Sequence, residues 1–123
     1  MSAQDTILVV DDDEINRKVA GLFLQRLGWK TDQAASAFEA LEQLQKHDYH
    51  CVLLDISMPG MSGIELCRKL REEPRWQDLP LIAYTAHAMS DEQQAILQAG
   101  FDAIITKPLT RDSLIAALAV TQG

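Results

Sequence analysis

Five strand-length segments, each followed by a stretch of helical period, leave this chain few folds to choose from. The segments are "TILVV" (6–10), "KTDQA" (30–34), "CVLLD" (51–55), "LIAYT" (81–85) and "AIIT" (103–106). Four are nearly all apolar, and the second is polar enough for a sheet edge. Between them, apolar residues recur three or four apart. Ile15, Val19, Leu22, Phe23 and Leu27 give residues 14–27 an expected inner face, with Gly28 as the stop. Phe38, Leu41 and Leu44 do the same for a second helix, behind a capping box of Ser36 and Glu39. Ser62 and Glu65 make another box before Ile64, Cys67 and Leu70. Ser90 and Gln93 are expected to cap a fourth helix with Ala95, Ile96 and Ala99 inside, ending at Gly100. Thr110 caps a fifth, facing inward through Leu114, Ile115 and Leu118.

Strands that alternate with helices run parallel, because each helix returns the chain to the same edge. Near-continuous apolar strands fit a sheet covered on both faces. Five such units predict an open, doubly wound α/β fold: a flavodoxin-like five-stranded parallel sheet, order 2-1-3-4-5, flanked by five helices. A length of 123 residues suits one domain, 1–123, with one core. The net charge of −7 makes the chain a poor electrostatic partner for nucleic acid. No apolar run approaches the roughly 20 residues that span a membrane. The N-terminus carries no secretory pattern, so a cytoplasmic domain is expected. Cys51 and Cys67 sit within apolar patterns and read as reduced core thiols. Trp29 and Trp76 read as core or cover rather than as a binding platform.

Polar residues fall where the strands end. Asp11 and Asp12 follow the first strand, Asp55 closes the third, Thr85 the fourth, and Lys107 follows the fifth. All these ends lie along one edge of a parallel sheet, and ligands bind there where the winding reverses. That switch point places the first and third strands side by side, so Asp11, Asp12 and Asp55 converge. Three carboxylates in one crevice raise one another's pKa or bind a metal. All-oxygen ligands with open positions suit Mg2+ beside a phosphate. A hydroxyl (Thr85) and an ammonium (Lys107) complete the parts for phosphoryl transfer to a carboxylate. Each residue alone has a plainer reading. Asp11 and Asp12 could be merely solvated, and Asp13 and Glu14 read as an N-cap and a first-turn acid. The joint placement at four strand ends is the specific signal.

With these residues in view, the sequence resembles the receiver domain of two-component response regulators. The carrying motifs are "VVDDDEINR", "LLDISMPGMSG", "IAYTAHA" and "ITKPL", and the likeness covers residues 5–120. The resemblance implies Asp55 as phospho-acceptor and Asp12 and Asp55 as direct Mg2+ ligands. It implies Asp11 acting on the ion through water and the Ser57 backbone carbonyl as a further ligand. Thr85 is implied as the hydroxyl that turns toward the phosphate, Ala86 as the small neighbour that leaves it room, and Lys107 as a phosphate contact before a cis Pro108. The family's switch pairs the threonine with an aromatic residue; here that position is Ile104, a departure that puts such a switch in question. Ser57 and His87 flank the expected phosphate site and either tune the lifetime of the acyl phosphate or are plain loop residues.

The phrases "EINRKVAG" and "TAHAM" resemble the receivers of hybrid histidine kinases. The implied partners are a histidine kinase and a histidine phosphotransfer protein or downstream effector, with dimerisation through the fourth helix, fifth strand and fifth helix. No output domain is expected within 1–123, so the chain reads as a stand-alone receiver or one cut from a longer protein. Two other readings stay open. One is a Mg2+-dependent aspartyl-nucleophile phosphatase, although Ser57 stands where such enzymes place a second acid. The other is a non-phosphorylated pseudo-receiver that only binds partners.

Overall fold

The computed structural model describes residues 5–86 and 89–121. Strand β1 (Thr6–Val10) lies between β2 (Lys30–Ala34) and β3 (Cys51–Asp55), followed by β4 (Leu81–Thr85) and β5 (Ala103–Thr106). All pairings are parallel and the order is 2-1-3-4-5, the expected one. Helices α1 (Glu14–Arg26), α2 (Ala37–Lys46), α3 (Gly63–Arg71), α4 (Ser90–Ala99) and α5 (Arg111–Thr121) complete the alternation. A turn of 3-10 helix, Pro74–Trp76, interrupts the polar stretch before β4.

Side chains alternate along each strand, so the sheet serves two cores. Leu8, Val10, Val52, Leu54, Leu81 and Ala83 face α2, α3 and α4. Ile7, Val9, Cys51, Leu53, Ile82 and Tyr84 face α1 and α5. This two-sided burial is why the strands read as unbroken apolar runs. Both cysteines are free and buried, and burial pushes the Cys67 thiol up to about 11 and Cys51 to about 12. Trp76 is buried in the first core, and Trp29 packs partly against the second.

The helix faces differ from the pattern reading. On α1 the buried residues are Ala20, Gly21 and Leu24, while Ile15 is 72% exposed and Val19 and Leu22 also face solvent. The reason is close packing through small residues. A Cβ added at Gly21 would already be in van der Waals contact with β2, 3.6 Å from the Gln33 amide and 3.7 Å from the Thr31 hydroxyl, so the helix lies close to the sheet at this position. Phe38 is likewise exposed, above Gly60, while Ala37, Ala40 and Leu44 make the buried face of α2. Ala95 and Ile115 are exposed too, leaving Ile96 and Ala99 on α4 and Leu114, Ala117 and Leu118 on α5 as the packed residues.

Caps follow the sequence more closely. Ser62 and Glu65 form the expected reciprocal box. Ser36 caps α2, but Glu39 reaches back to the Ala35 N–H rather than to Ser36. Helix α4 starts one residue early: Met89 is its N-cap, without a side-chain bond, and Ser90 is already helical. Thr110 accepts from the Ser113 N–H as expected. Asp13 accepts from the N–H groups of Ile15 and Asn16 at 2.9 and 3.2 Å. Asp13→Ala is therefore expected to cost about 1 kcal/mol in urea unfolding, with Mg2+ affinity unchanged.

Candidate phosphoryl-transfer site

Asp11, Asp12 and Asp55 each bring a carboxylate oxygen within 4.8 Å of the other two. Their meeting follows from the sheet order, because β1 and β3 are neighbours and end together. Asp11 is 1% exposed and Asp55 is also buried, whereas Asp12 faces solvent. One oxygen of each buried acid is fixed by backbone: Asp13 N–H donates to Asp11 Oδ1 at 2.9 Å, and Ser57 N–H to Asp55 Oδ1 at 3.1 Å.

Lys107 stands over this group. Its Nζ is 3.5 Å from Asp55 Oδ1 and 3.9 Å from Asp11 Oδ2, and 4.7 Å from the centre of the Tyr84 ring beneath it. The Lys107–Pro108 bond is cis, as expected. The Lys107 N–H donates to the Thr85 carbonyl at 2.7 Å, which locks the ends of β4 and β5 together. Thr85 is buried and Ala86 is exposed beside it. Thr85 and Ser57 line a cavity of about 160 Å³ together with Ile56, Ile64, Glu92, Ala95 and Ile96. Ile104 is half-buried against the same core as α4, an aliphatic side chain where the family's aromatic would stand. Ser57 is exposed; His87 lies outside the described residues.

Lys107 alone does not balance three acids. Among the described residues Asp11 Oδ2 is buried without a hydrogen-bond partner, and 3.9 Å is too long for one from Lys107. Burial, with the charge of Asp55, pushes the Asp11 carboxyl up to about 6, against the Asp13 N–H and Lys107. An orphaned oxygen in a cluster of carboxylates fits a hard divalent cation that takes oxygen ligands.

Pattern reading missed two residues that shape this site. Gly63 opens α3 where an added Cβ would collide with the Asp55 carbonyl and lie 2.8 Å from Ile56 Cα. Only glycine lets α3 start that close behind the phospho-acceptor candidate. Arg17 donates to the Asp11 carbonyl at 2.7 Å. Both stand in the motifs quoted above, Arg17 closing "VVDDDEINR" and Gly63 closing "LLDISMPGMSG", but the pattern gave neither a role at the site, since both act on backbone.

A doubly wound sheet with this acid group at its switch point defines a class that comparison makes specific. The model of the response regulator receiver domain matches residues 7–119, and the chain belongs to that family. It is 39% identical over 114 residues to sensor histidine kinase RcsC of Salmonella typhi, spanning 93% of this chain but 12% of that protein. It is 32% identical over 105 residues to the polar-differentiation response regulator DivK of Brucella ovis, 85% of each chain. The receiver domain of sensor histidine kinase PA1611 from Pseudomonas aeruginosa PAO1 superposes with a TM-score of 0.87 at 27% identity, over 97% of this chain and 98% of that one. That structure holds a magnesium ion coordinated in its active-site cleft. Two-component phosphorelay signalling is thus the setting of this domain. Among the described residues no helix is long and apolar enough to cross a membrane.

Proposed function

We propose that residues 1–123 act as a single receiver domain that takes a phosphoryl group from a partner's phosphohistidine onto Asp55. The observation that carries this is the buried carboxylate group of Asp11 and Asp55, joined by exposed Asp12 and faced by Lys107. An Asp55 oxygen forms the new P–O bond as the P–N bond of the donor breaks, and the imidazole leaves with the electron pair. Lys107 neutralises charge on the moving phosphoryl oxygens, and its seat over Tyr84 holds the ammonium at the site. Thr85 supplies a hydroxyl to the phosphoryl group once it is in place. Asp12 and Asp55, with Asp11 through water and the Ser57 carbonyl, would hold Mg2+. When bound, the ion neutralises phosphoryl oxygens and aligns the donor. Ser57 and His87 are proposed to tune the lifetime of the product.

The test is direct. Acetyl phosphate with Mg2+ is expected to add about 80 Da, one phosphoryl group, and Asp55→Asn is expected to abolish the addition. A wild-type protein that gains no mass under these conditions would sink the reading.

The partner reading has its own support. Ile15, Val19 and Leu22 form an exposed apolar stripe on α1 that begins three residues after Asp12. A histidine-bearing helical partner, kinase or phosphotransfer protein, covers this stripe as it brings its imidazole to Asp55. Ile15→Asp is expected to slow transfer from such a partner about tenfold or more, with labelling by acetyl phosphate unchanged. Output through α4, β5 and α5, by dimerisation or effector binding, is the companion proposal; Leu97 is exposed there.

A further inference from the structure

We infer that Arg17 is a positioning residue for the cation site, holding the turn that carries Asp11 and Asp12 through its backbone. The inference rests on the reading of Asp11, Asp12 and Asp55 as the Mg2+ site. Strand β2 ends at Ala34, whose carbonyl accepts the Asp11 N–H at 3.2 Å. The next amide, Ala35 N–H, is turned away to Glu39 Oε1 at 3.0 Å. The β1–β2 pairing closes at Val10 and Ala34, so the Asp11 carbonyl lies beyond the ladder. Arg17 Nη1 supplies the donor at 2.7 Å. The guanidinium is itself steadied, since Nε donates to Gln33 Oε1 at 3.4 Å.

Asp11 is thus held at three points: its N–H by β2, its carboxylate by Asp13 N–H, and its carbonyl by Arg17. The last of these fixes the plane of the peptide that leads into Asp12, and so the direction in which the Asp12 side chain leaves the turn. Asp12 is exposed, so its aim depends on the backbone that carries it. A carboxylate that must meet a metal alongside two buried partners needs such a constraint, because groups behind the ligands set their orientation.

Charge and positioning predict opposite signs here. A cation beside three acids repels a second cation, so removing it should tighten Mg2+ binding if charge is all that Arg17 contributes. If it positions the turn, removing it should weaken binding. Lysine keeps the charge but lacks the planar fork that reaches two acceptors.

The experiment is calorimetric titration of Mg2+ into wild type, Arg17→Met, Arg17→Lys and Asp12→Ala near neutral pH, with urea unfolding of each metal-free protein. Arg17→Met, which keeps the aliphatic stem, is expected to raise the Mg2+ Kd about tenfold or more. Arg17→Lys is expected to fall between it and wild type, and Asp12→Ala to bind weakest. A Kd for Arg17→Met that is unchanged or lowered overturns the inference. Should that variant fail to fold, a wild-type Kd in Arg17→Lys overturns it equally. A wild type that takes up no Mg2+ brings down the site reading as well, which separates the two failures.

Discussion

Arg71→Met is expected to lower the free energy of unfolding by about 3 kcal/mol. Arg71 ends α3 with a side chain only 18% exposed, and its guanidinium ties together three pieces of chain that meet there. Nη1 donates to the carbonyls of Trp76, Gln77 and Leu79 at 2.8, 3.1 and 2.7 Å. Nε and Nη2 both donate to the Gly100 carbonyl, at 3.0 and 2.8 Å, and Nη2 also reaches Asp102 Oδ2 at 3.1 Å. That same Asp102 oxygen accepts the Leu81 N–H at the start of β4. Methionine fills much of the volume but leaves four carbonyls and a carboxylate to find water. Gly100 fits the same arrangement: its φ is +119° and a Cβ there would stand 2.8 Å from Arg71 Cγ. The check is urea unfolding at constant m-value. Arg71→Lys should recover only part of the loss, since one ammonium cannot span the set. A midpoint within error of wild type would mean that these carbonyls hydrate freely and that the junction holds without the clamp.

Why the sequence reading reached the acids but not Arg71 is a matter of what leaves a signature. Strands were legible because a sheet buried on both faces demands apolar residues at consecutive positions; all five residues of "CVLLD" are buried. Asp11, Asp12, Asp55, Thr85 and Lys107 were legible because strand ends converge by topology, and chemistry at a switch point needs those residue types. Helix faces were legible only in part. Period counting favours the largest apolar residues, but α1 meets the sheet through Ala20, Gly21 and Leu24, and Ile15 points away. Arg17, Gly63 and Arg71 act on backbone atoms. A carbonyl that lacks a ladder partner has no residue identity to search for, and a glycine in a loop motif does not say which strand its helix will approach.

Asp11→Asn is expected to raise the stability of the metal-free protein near neutral pH by about 1–3 kcal/mol, an order set by the shift of the Asp11 carboxyl. The carboxylate is buried, one oxygen has no hydrogen-bond partner, and Asp55 lies beside it. Folding carries its pKa from 3.8 up to about 6, chiefly by desolvation. Between those values the folded state binds more proton than the unfolded state. The Asp11 contribution to stability is therefore full below about pH 4, falls as pH rises toward about 6, and stays reduced above that. Asparagine keeps an oxygen for the Asp13 N–H but carries no charge, so it removes this loss. The gain should vanish at about pH 4, where Asp11 is protonated when folded. Magnesium is expected to reverse the ranking. It should offset the acid repulsion in wild type and so raise its melting temperature, whereas the variant, with one acid fewer, should respond far less. Thermal unfolding across pH 4–8, with and without Mg2+, measures all of these outcomes. Destabilisation by Asp11→Asn at neutral pH without metal would show that the acids do not strain the fold. The site would then have no electrostatic need of a cation.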